Sequence, residues 1–375
     1  MYNIQMADLR SQYNEIKAEV DSAIQEVIDS TTFINGPQVK VFREALREYT
    51  GAKHVITCGN GTDALQIAMM ALEFKPGDEI IVPAFTYVAT AEVIALLGLK
   101  PIFVDVIAET YELDLSMLTQ KISSRTVGIV PVHLYGQCSN MELILDFAEK
   151  HKLKVIEDTA QAIGAFYTFA DGKKARAGTI GDIGTTSFFP SKNLGCFGDG
   201  GAIFTNDDVL AEKLQMIANH GQIKKYHHEC IGLNSRLDTI QAAILNVKLK
   251  HLDRYCASRN DVADRYDIAF KDHKNIISPK RTEYSTHVFH QYTIQLEGAN
   301  RDELKKFLQE KGVPSMIYYP LSLHQQVAFQ SFGYKNGDFP VSEALCKKVL
   351  SLPIHTEMKV EEQNYIIESI KSFFL

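Results

Sequence analysis

The sequence predicts an α/β fold built on a mostly parallel sheet covered on both faces, with a second, smaller part beyond it. Three observations carry this. Between residues 36 and 205, short β-rich runs alternate with segments of helical periodicity, the pattern of repeated strand–helix units. The strand runs are continuously apolar rather than alternating, which marks strands buried on both sides. The chain has 375 residues, more than one core of ordinary size organises.

In chain order, HVITC (54–58) is the first strand, and TDALQIAMMAL (62–72) follows with apolar residues at helical spacing. DEIIVP (78–83) is a strand and VATAEVIALLGL (88–99) a helix. PIFVDV (101–106) and TVGIVPVHL (126–134) are strands, then comes a helix near 141–151, and LKVIED (153–158) is a further strand. SRLDTIQAAILNVKLKHLDRY (235–255) reads as one long helix, and there the alternation stops. Beyond it we expect a strand near 288–296, a helix near 301–311 and two C-terminal helices. The expected division is a large part over residues 1–250 and a smaller one over 251–375.

Composition excludes several classes of function. Hydrophobic residues make up 45% and charged residues 23%, a globular balance. A formal net charge of -7 argues against a nucleic-acid partner, which needs a basic footprint. No apolar run approaches the roughly 18 residues of a membrane span, and the opening MYNIQMADLRSQYNEIKAEV has no signal-peptide pattern. Six scattered cysteines without a CxxC pair read as reduced thiols, which suits the cytoplasm. Asn60-Gly-Thr formally matches a glycosylation sequon, which carries no meaning there.

In a sheet of this kind ligands gather at the carboxyl ends of the strands, and three segments fall at such ends. CGNGTDAL (58–65) passes from strand to helix. Gly61 permits close backbone approach and Thr62 offers a hydroxyl beside free helix-start amides, which suits a phosphate; a glycine turn with Thr62 as N-cap reads equally well. VIEDTAQAIGA (155–165) ends a strand at Asp158, which either faces the ligand crevice or caps a helix, with Gln161 at capping-box spacing. TSFFPSKNLGCFGDGG (186–201) wedges Lys192 between an apolar run and a glycine-studded loop.

Taken together, these are the fixtures of pyridoxal 5'-phosphate. Its aldehyde needs an amine, its ring nitrogen a carboxylate, and its phosphate amides and hydroxyls. Ser187, five residues before Lys192, supplies a further hydroxyl, and Tyr87 in PAFTYVAT a ring to stack on the cofactor.

The sequence also resembles the DegT/DnrJ/EryC1/StrS family of sugar-nucleotide aminotransferases. The resemblance runs through NGPQVKVFREALREYTGAKHVITCGNGTDALQ, PAFTYVATAEVI, PVHLYGQ, IEDTAQAIGA, SFFPSKNLGCFGDGGAIFTND and GLNSRLDTIQAAIL. It implies the fold type I architecture of pyridoxal-phosphate enzymes, aspartate aminotransferase-like. It implies Lys192 as the amine bonded to the cofactor, Asp158 at the ring nitrogen and Gln161 at the ring hydroxyl. Gly61, Thr62 and Ser187 would bind phosphate, and Tyr87 would stack. Asn234 would reach the phosphate in the other subunit of a homodimer with shared active sites.

Within the family the chain is most similar to enzymes that aminate UDP-2-acetamido-2-deoxy-3-keto-glucuronic acid with glutamate, for surface polysaccharides such as lipopolysaccharide. In that group the arginine matching Arg236 meets a carboxylate, a geometry its planar guanidinium suits; a surface pair at a helix start is its other reading. The segment IYYPLSLHQQ, with Tyr318, Tyr319 and His324, would help hold the substrate. Tyr318 stands where histidine is expected, and Leu-Ser follows Pro320 in place of Ile-Pro, so a dTDP- or UDP-linked 3-keto or 4-keto deoxysugar stays open as the substrate.

Other candidates carry less. His227, His228, Glu229 and Cys230 are adjacent, and neighbours in sequence rarely face one metal ion, so no metal is expected. His133 reads as pocket-lining or as a core histidine, and Cys58 and Cys196 as packing residues. Lys192 speaks against a dehydratase of the same family, which carries histidine there. A nicotinamide oxidoreductase lacks its glycine fingerprint. A non-catalytic regulator that binds cofactor or nucleotide sugar would leave the lysine, aspartate and serine set unexplained.

Overall fold

The structure is a computed structural model that describes residues 3–375. Helices α1 (Leu9–Glu15), α2 (Lys17–Ser30) and α3 (Pro37–Thr50) lead in. The alternation then runs β1 (His54–Cys58), α4 (Gly61–Ala71), β2 (Glu79–Pro83), α5 (Ala89–Leu96), β3 (Lys100–Val104), β4 (Thr126–Ile129), α6 (Met141–His151) and β5 (Lys154–Asp158). A small hairpin, β6 (Phe166–Thr168) and β7 (Lys174–Arg176), precedes β8 (Ile183–Ser187) and β9 (Gly201–Thr205). The seven-stranded sheet has the order β1-β9-β8-β5-β4-β2-β3. Its pairs are parallel except the two that β9 makes with β1 and β8.

The continuous apolar runs are explained by cover on both faces. On one side α4, α5 and α7 (Asp208–Ala218) pack Leu65, Ile67, Met69, Val93, Ile94 and Leu214 against Ile56, Ile80, Phe103, Ile183 and Ile203. On the other, α6 brings Met141, Ile144 and Ala148 onto Ile81, Ile102, Ile129 and Val155. Helix α4 buries residues on nearly every side, as a helix without a polar face must.

Two sequence expectations are corrected, and two strands are added. Strand 126–134 ends at Ile129, and the chain continues to the single bridge Val132↔Asp158. The long helix 235–255 is two helices, α8 (Thr239–Leu249) and α9 (Leu252–Phe270). No glycine or proline marks the break; the apolar spacing runs through it although α8 is buried nearly all round and α9 only on one stripe. Strands β8 and β9, which flank the lysine loop, went unread because both are short and threonine- or glycine-bearing.

A small hairpin, β10 (Gln222–Lys224) with β11 (His227–His228), follows α7. Past α9, strands β12 (Ile276–Ile277), β13 (Tyr292–Leu296) and β14 (Val349–Leu352) form a separate antiparallel sheet. It packs with α9, α10 (Arg301–Glu310) and α12 (Val360–Ser372) through Tyr266, Phe270, Ile294, Leu304, Leu308, Leu350 and Ile366. We propose the seam between the two parts near residue 250. The chain crosses it twice more. Ile4 joins the small core, and Leu323, Phe329 and Phe339 return to the large one. Asp105, at the end of the β3 run, accepts bonds from the Val341 and Ser342 amides (2.9 and 2.8 Å) at the start of α11 (Pro340–Lys348).

Candidate active site

The parallel strands deliver their carboxyl ends to one edge, and a concavity of about 600 Å³ opens there. It brings together nine of the predicted residues: Gly61, Thr62, Tyr87, Asp158, Gln161, Ser187, Lys192, Tyr318 and Tyr319.

Sheet register assembles the phosphate end. Gly201 stands opposite both Cys58 and Ser187, so the 59–62 turn and Ser187 converge over it. A Cβ on Gly201 would lie 2.5 Å from the Asn60 backbone, and one on Gly61 2.7 Å from the Ser187 Cβ. Neither position admits a side chain, and the close approach leaves the first amides of α4 facing the cavity. The N-cap of α4 is Asn60, whose side chain accepts from Asp63 N at 2.8 Å. The reading of Thr62 as the cap is thereby corrected, because that position is already filled.

The carboxylate end rests on β5. Asp158 is buried, its Oδ2 accepts from the Thr90 hydroxyl at 2.8 Å and its Oδ1 from Ala160 N at 3.1 Å. No helix follows it: residues 160–164 are turns, so its reading as a helix cap, and that of Gln161 as a capping-box partner, are overturned. Gln161 instead accepts from Tyr135 N on Oε1 (2.8 Å) and donates from Nε2 to the Tyr319 hydroxyl (3.1 Å). The backbone donor fixes the amide's orientation, and the second Nε2 hydrogen stays available to the pocket. Tyr87 precedes α5, half exposed, with its ring 6.2 Å from that of Tyr319.

Lys192 enters between these ends on the loop after β8. The loop closes tightly: Lys192 N donates to Phe189 O and Cys196 N to Phe188 O, both at 2.8 Å, and a Cβ on Gly195 would meet Pro190 O at 2.3 Å. That answers why glycine crowds this lysine. Burial pushes the Lys192 amine down to about 8, while Asp158 favours its charged form. Desolvation disfavours an ammonium, and here it outweighs one carboxylate.

Three predicted residues lie elsewhere. His324 is buried outside the cavity with both ring nitrogens engaged, Nδ1 with Ser322 Oγ (2.8 Å) and Nε2 with Glu343 Oε1 (3.0 Å). Its substrate role is therefore corrected to a structural one. Arg236 lines a second concavity of about 260 Å³ beside Lys40 and Arg43, and Asn234 is exposed on the approach to it. His133 is a core histidine: Nδ1 accepts from Ser139 N (3.1 Å), leaving Nε2 to donate to Glu157 (2.9 Å). Glu157 also takes the amides of Gly178, Ile180 and Gly181. His227 and His228 are exposed on a hairpin, and no group of three metal-ligating side chains occurs among the described residues. Cys58 and Cys196 are buried, and burial raises both thiols, Cys196 to about 11.

Sequence reasoning missed Thr90, His290 and Thr86. Thr90 closes the PAFTYVAT block three residues after Tyr87, and that helical spacing was its signal. His290 lines the cavity from the edge of the small sheet, which no local pattern announces. Thr86 also lines it, with a buried hydroxyl that has no partner among the described residues.

This donor set fits the cofactor. The lining combines a desolvated amine, a buried carboxylate and a glycine-built cradle, and Thr86 beside them keeps a buried hydroxyl without a partner among the described residues. Fold and site define a pyridoxal-phosphate-dependent transferase of fold type I. The chain belongs to the DegT/DnrJ/EryC1/StrS aminotransferase family, which residues 14–371 match.

It is 47% identical over 99% of both chains to the "pleiotropic regulatory protein" of Geobacillus stearothermophilus. It is 45% identical, over 94% of this chain and 95% of the other, to the UDP-2-acetamido-2-deoxy-3-oxo-D-glucuronate aminotransferase of Pseudomonas aeruginosa. Among solved structures, NtdA from Bacillus subtilis with bound cofactor PMP superimposes with a TM-score of 0.88, at 32% identity over 96% of this chain and 82% of that one. No helix among the described residues is long and apolar enough to cross a membrane.

Proposed function

We propose that the chain transaminates UDP-2-acetamido-2-deoxy-3-oxo-glucuronate with glutamate as amino donor, in the cytoplasm, to supply a surface polysaccharide. The observation that carries the reaction is that Lys192 and Asp158 line one glycine-cradled cavity and interact there. The likeness to the Pseudomonas aeruginosa enzyme supports the sugar. The name of the Geobacillus stearothermophilus relative matches the regulator reading, but a regulator has no use for a desolvated lysine aimed at a buried aspartate.

When bound, pyridoxal phosphate supplies an electrophilic aldehyde and an electron-withdrawing ring. In our reading the chain's own groups do the rest. The Gly61 and Thr62 amides with the Ser187 hydroxyl hold the phosphate. The free Nε2 hydrogen of Gln161 would be offered to the ring oxygen, and Tyr87 would stack on the ring. Asp158, oriented by Thr90 and Ala160, keeps the proton on the ring nitrogen. Lys192 would hold the cofactor's aldehyde carbon, and its freed neutral Nζ would take up the proton from the amino donor's Cα. An amine near pH 8 is close to the working range, where such transfer is most efficient. Tyr318 and Tyr319 line the side from which the sugar enters.

Purified protein with cofactor and glutamate, offered UDP- and dTDP-linked keto sugars, is expected to form the amino sugar from the 3-oxo-glucuronate as read by mass spectrometry. Amination of dTDP-4-keto-6-deoxy sugars alone would end the uronate reading and leave the reaction class standing.

We further propose a homodimer in which Asn234 and Arg236 of one copy serve the other's site. The cavity's own lining holds one lysine and no arginine, although the proposed substrate and cofactor bring several negative charges. Mixing Lys192→Ala with the double variant Asn234→Ala, Arg236→Ala, each inactive alone, is expected to restore about a quarter of wild-type activity: half the dimers are mixed, each with one intact site. If no activity returns after subunit exchange, these residues act within their own subunit.

A further inference from the structure

Arg259 is a buried cation on α9 without a carboxylate partner among the described residues. Its Nη1 donates instead to three carbonyl oxygens, those of Phe289 (3.1 Å), His290 (3.4 Å) and Ile354 (3.1 Å). Burial pushes the guanidinium down to about 10. A buried unpaired charge is expensive, and nothing in the reaction as derived above uses it.

Two of these carbonyls, those of Phe289 and His290, belong to a strap, residues 287–291, which leads into β13 and forms part of the cavity wall. Four successive strap carbonyls are pinned. His287 O accepts from Asn260 Nδ2 and Val288 O from Asn193 Nδ2, both at 2.8 Å, and the next two are taken by Arg259. The strap's amides are tied as well, Val288 N to Gly136 O (2.8 Å) and Gln291 N to Tyr135 O (3.3 Å). Phe289 is held at φ +44°, a region unfavourable for a bulky residue that persists only where its surroundings dictate it. Asn193, one of the anchors, is the residue next to Lys192, and His290 and Gln291 line the cavity with that lysine.

We propose that Arg259 and Asn193 are positioning residues for Lys192: they pin the 287–291 strap so that the His290 ring stands as a neutral wall beside the lysine amine and keeps bulk water from it. This rests on Lys192 as the amine that bonds to the cofactor. Asp158 from β5 and His290 act on the amine directly, Arg259 stands behind His290, and Asp199 on the lysine's own loop, Tyr87 and Tyr319 line the same cavity. His290 is held well below the usual histidine range, first by burial and then by Lys192 and Arg259, so it adds no charge. A loosened strap admits water, the ammonium becomes solvated, and the amine titrates nearer its ordinary value of about 10.4.

The test is the rate at which apoprotein captures pyridoxal phosphate, followed by the visible band across pH. The neutral amine is the reactant, so the wild-type rate is expected to rise with pH and level off above about 8. In Arg259→Gln and Asn193→Ala the rise is expected to move up by about one pH unit, so that capture near neutrality slows about tenfold while the plateau at high pH is kept. Thermal melting is recorded beside it. Variants that melt earlier with an unmoved pH midpoint would show a strap that only holds the fold, and would overturn the proposal. Should Arg259→Gln not fold, Asn193→Ala, which removes one bond and no charge, and His290→Ala, which opens the wall, carry the same reading. Failure of the wild type to form the band would strike the lysine assignment itself, a separate result.

Discussion

Lys192→Ala is expected to purify without the protein-bound visible band and to lose at least about 10⁴-fold in turnover, since in the proposed mechanism one residue both holds the cofactor and moves the proton. The site offers no substitute. Lys192 is the one lysine or arginine that lines the cavity, and the neighbouring histidine is buried and neutral. The fold should survive, because the truncated chain lies at the edge of an open cavity and the Lys192 N–H bond to Phe189 O belongs to the backbone. Absorbance and initial rates of the same preparation check the prediction. A variant with unimpaired turnover would end the account of the site.

Asp158→Asn is expected to keep the cofactor and lose about 10²–10³ in kcat, the scale of removing one preorganised electrostatic partner from a reacting centre. The amide keeps the shape of the carboxylate: its one oxygen can accept from the Ala160 amide in place of Oδ1, and the Thr90 hydroxyl, which can turn to accept, meets the amide NH2 in place of Oδ2. It cannot keep a proton on the ring nitrogen. The discriminating control is a cofactor analogue with a methyl group on that nitrogen, which carries the positive charge permanently. It should recover much of the variant's loss and do little for wild type. If the analogue recovered nothing while the variant stayed well folded, Asp158 would be reduced to a packing role.

The fold was largely legible because a two-sided parallel sheet writes itself as apolar runs. Strands 54–58 and 154–158 were read to within a residue of where they lie. The site was legible wherever chemistry sits on short local blocks: Lys192 on its glycine loop, Asp158 at a strand end, Gly61 and Thr62 at a helix start. What sequence hid was long-range. That Asn60 rather than Thr62 caps α4 depends on cap geometry, and that no helix follows Asp158 depends on turns which propensity does not forbid. His324 looked like a substrate contact because its segment borders the pocket, yet Ser322 and Glu343 consume both its nitrogens. Arg236 and Asn234 fall outside the cavity of their own chain, and the role proposed for them in it needs a second copy. The strap at 287–291 is gathered from α9, the lysine loop and the 135–136 turn, and no window of sequence contains all three.

The central claim is that one particular amine holds the cofactor. Holoenzyme reduced with borohydride and digested with trypsin tests it most directly. Trypsin does not cut at a modified lysine, so the pyridoxyl mass is expected on a single peptide spanning residues 177–213, with Lys192 inside it. The same mass on any other peptide, or on none, would contradict the account.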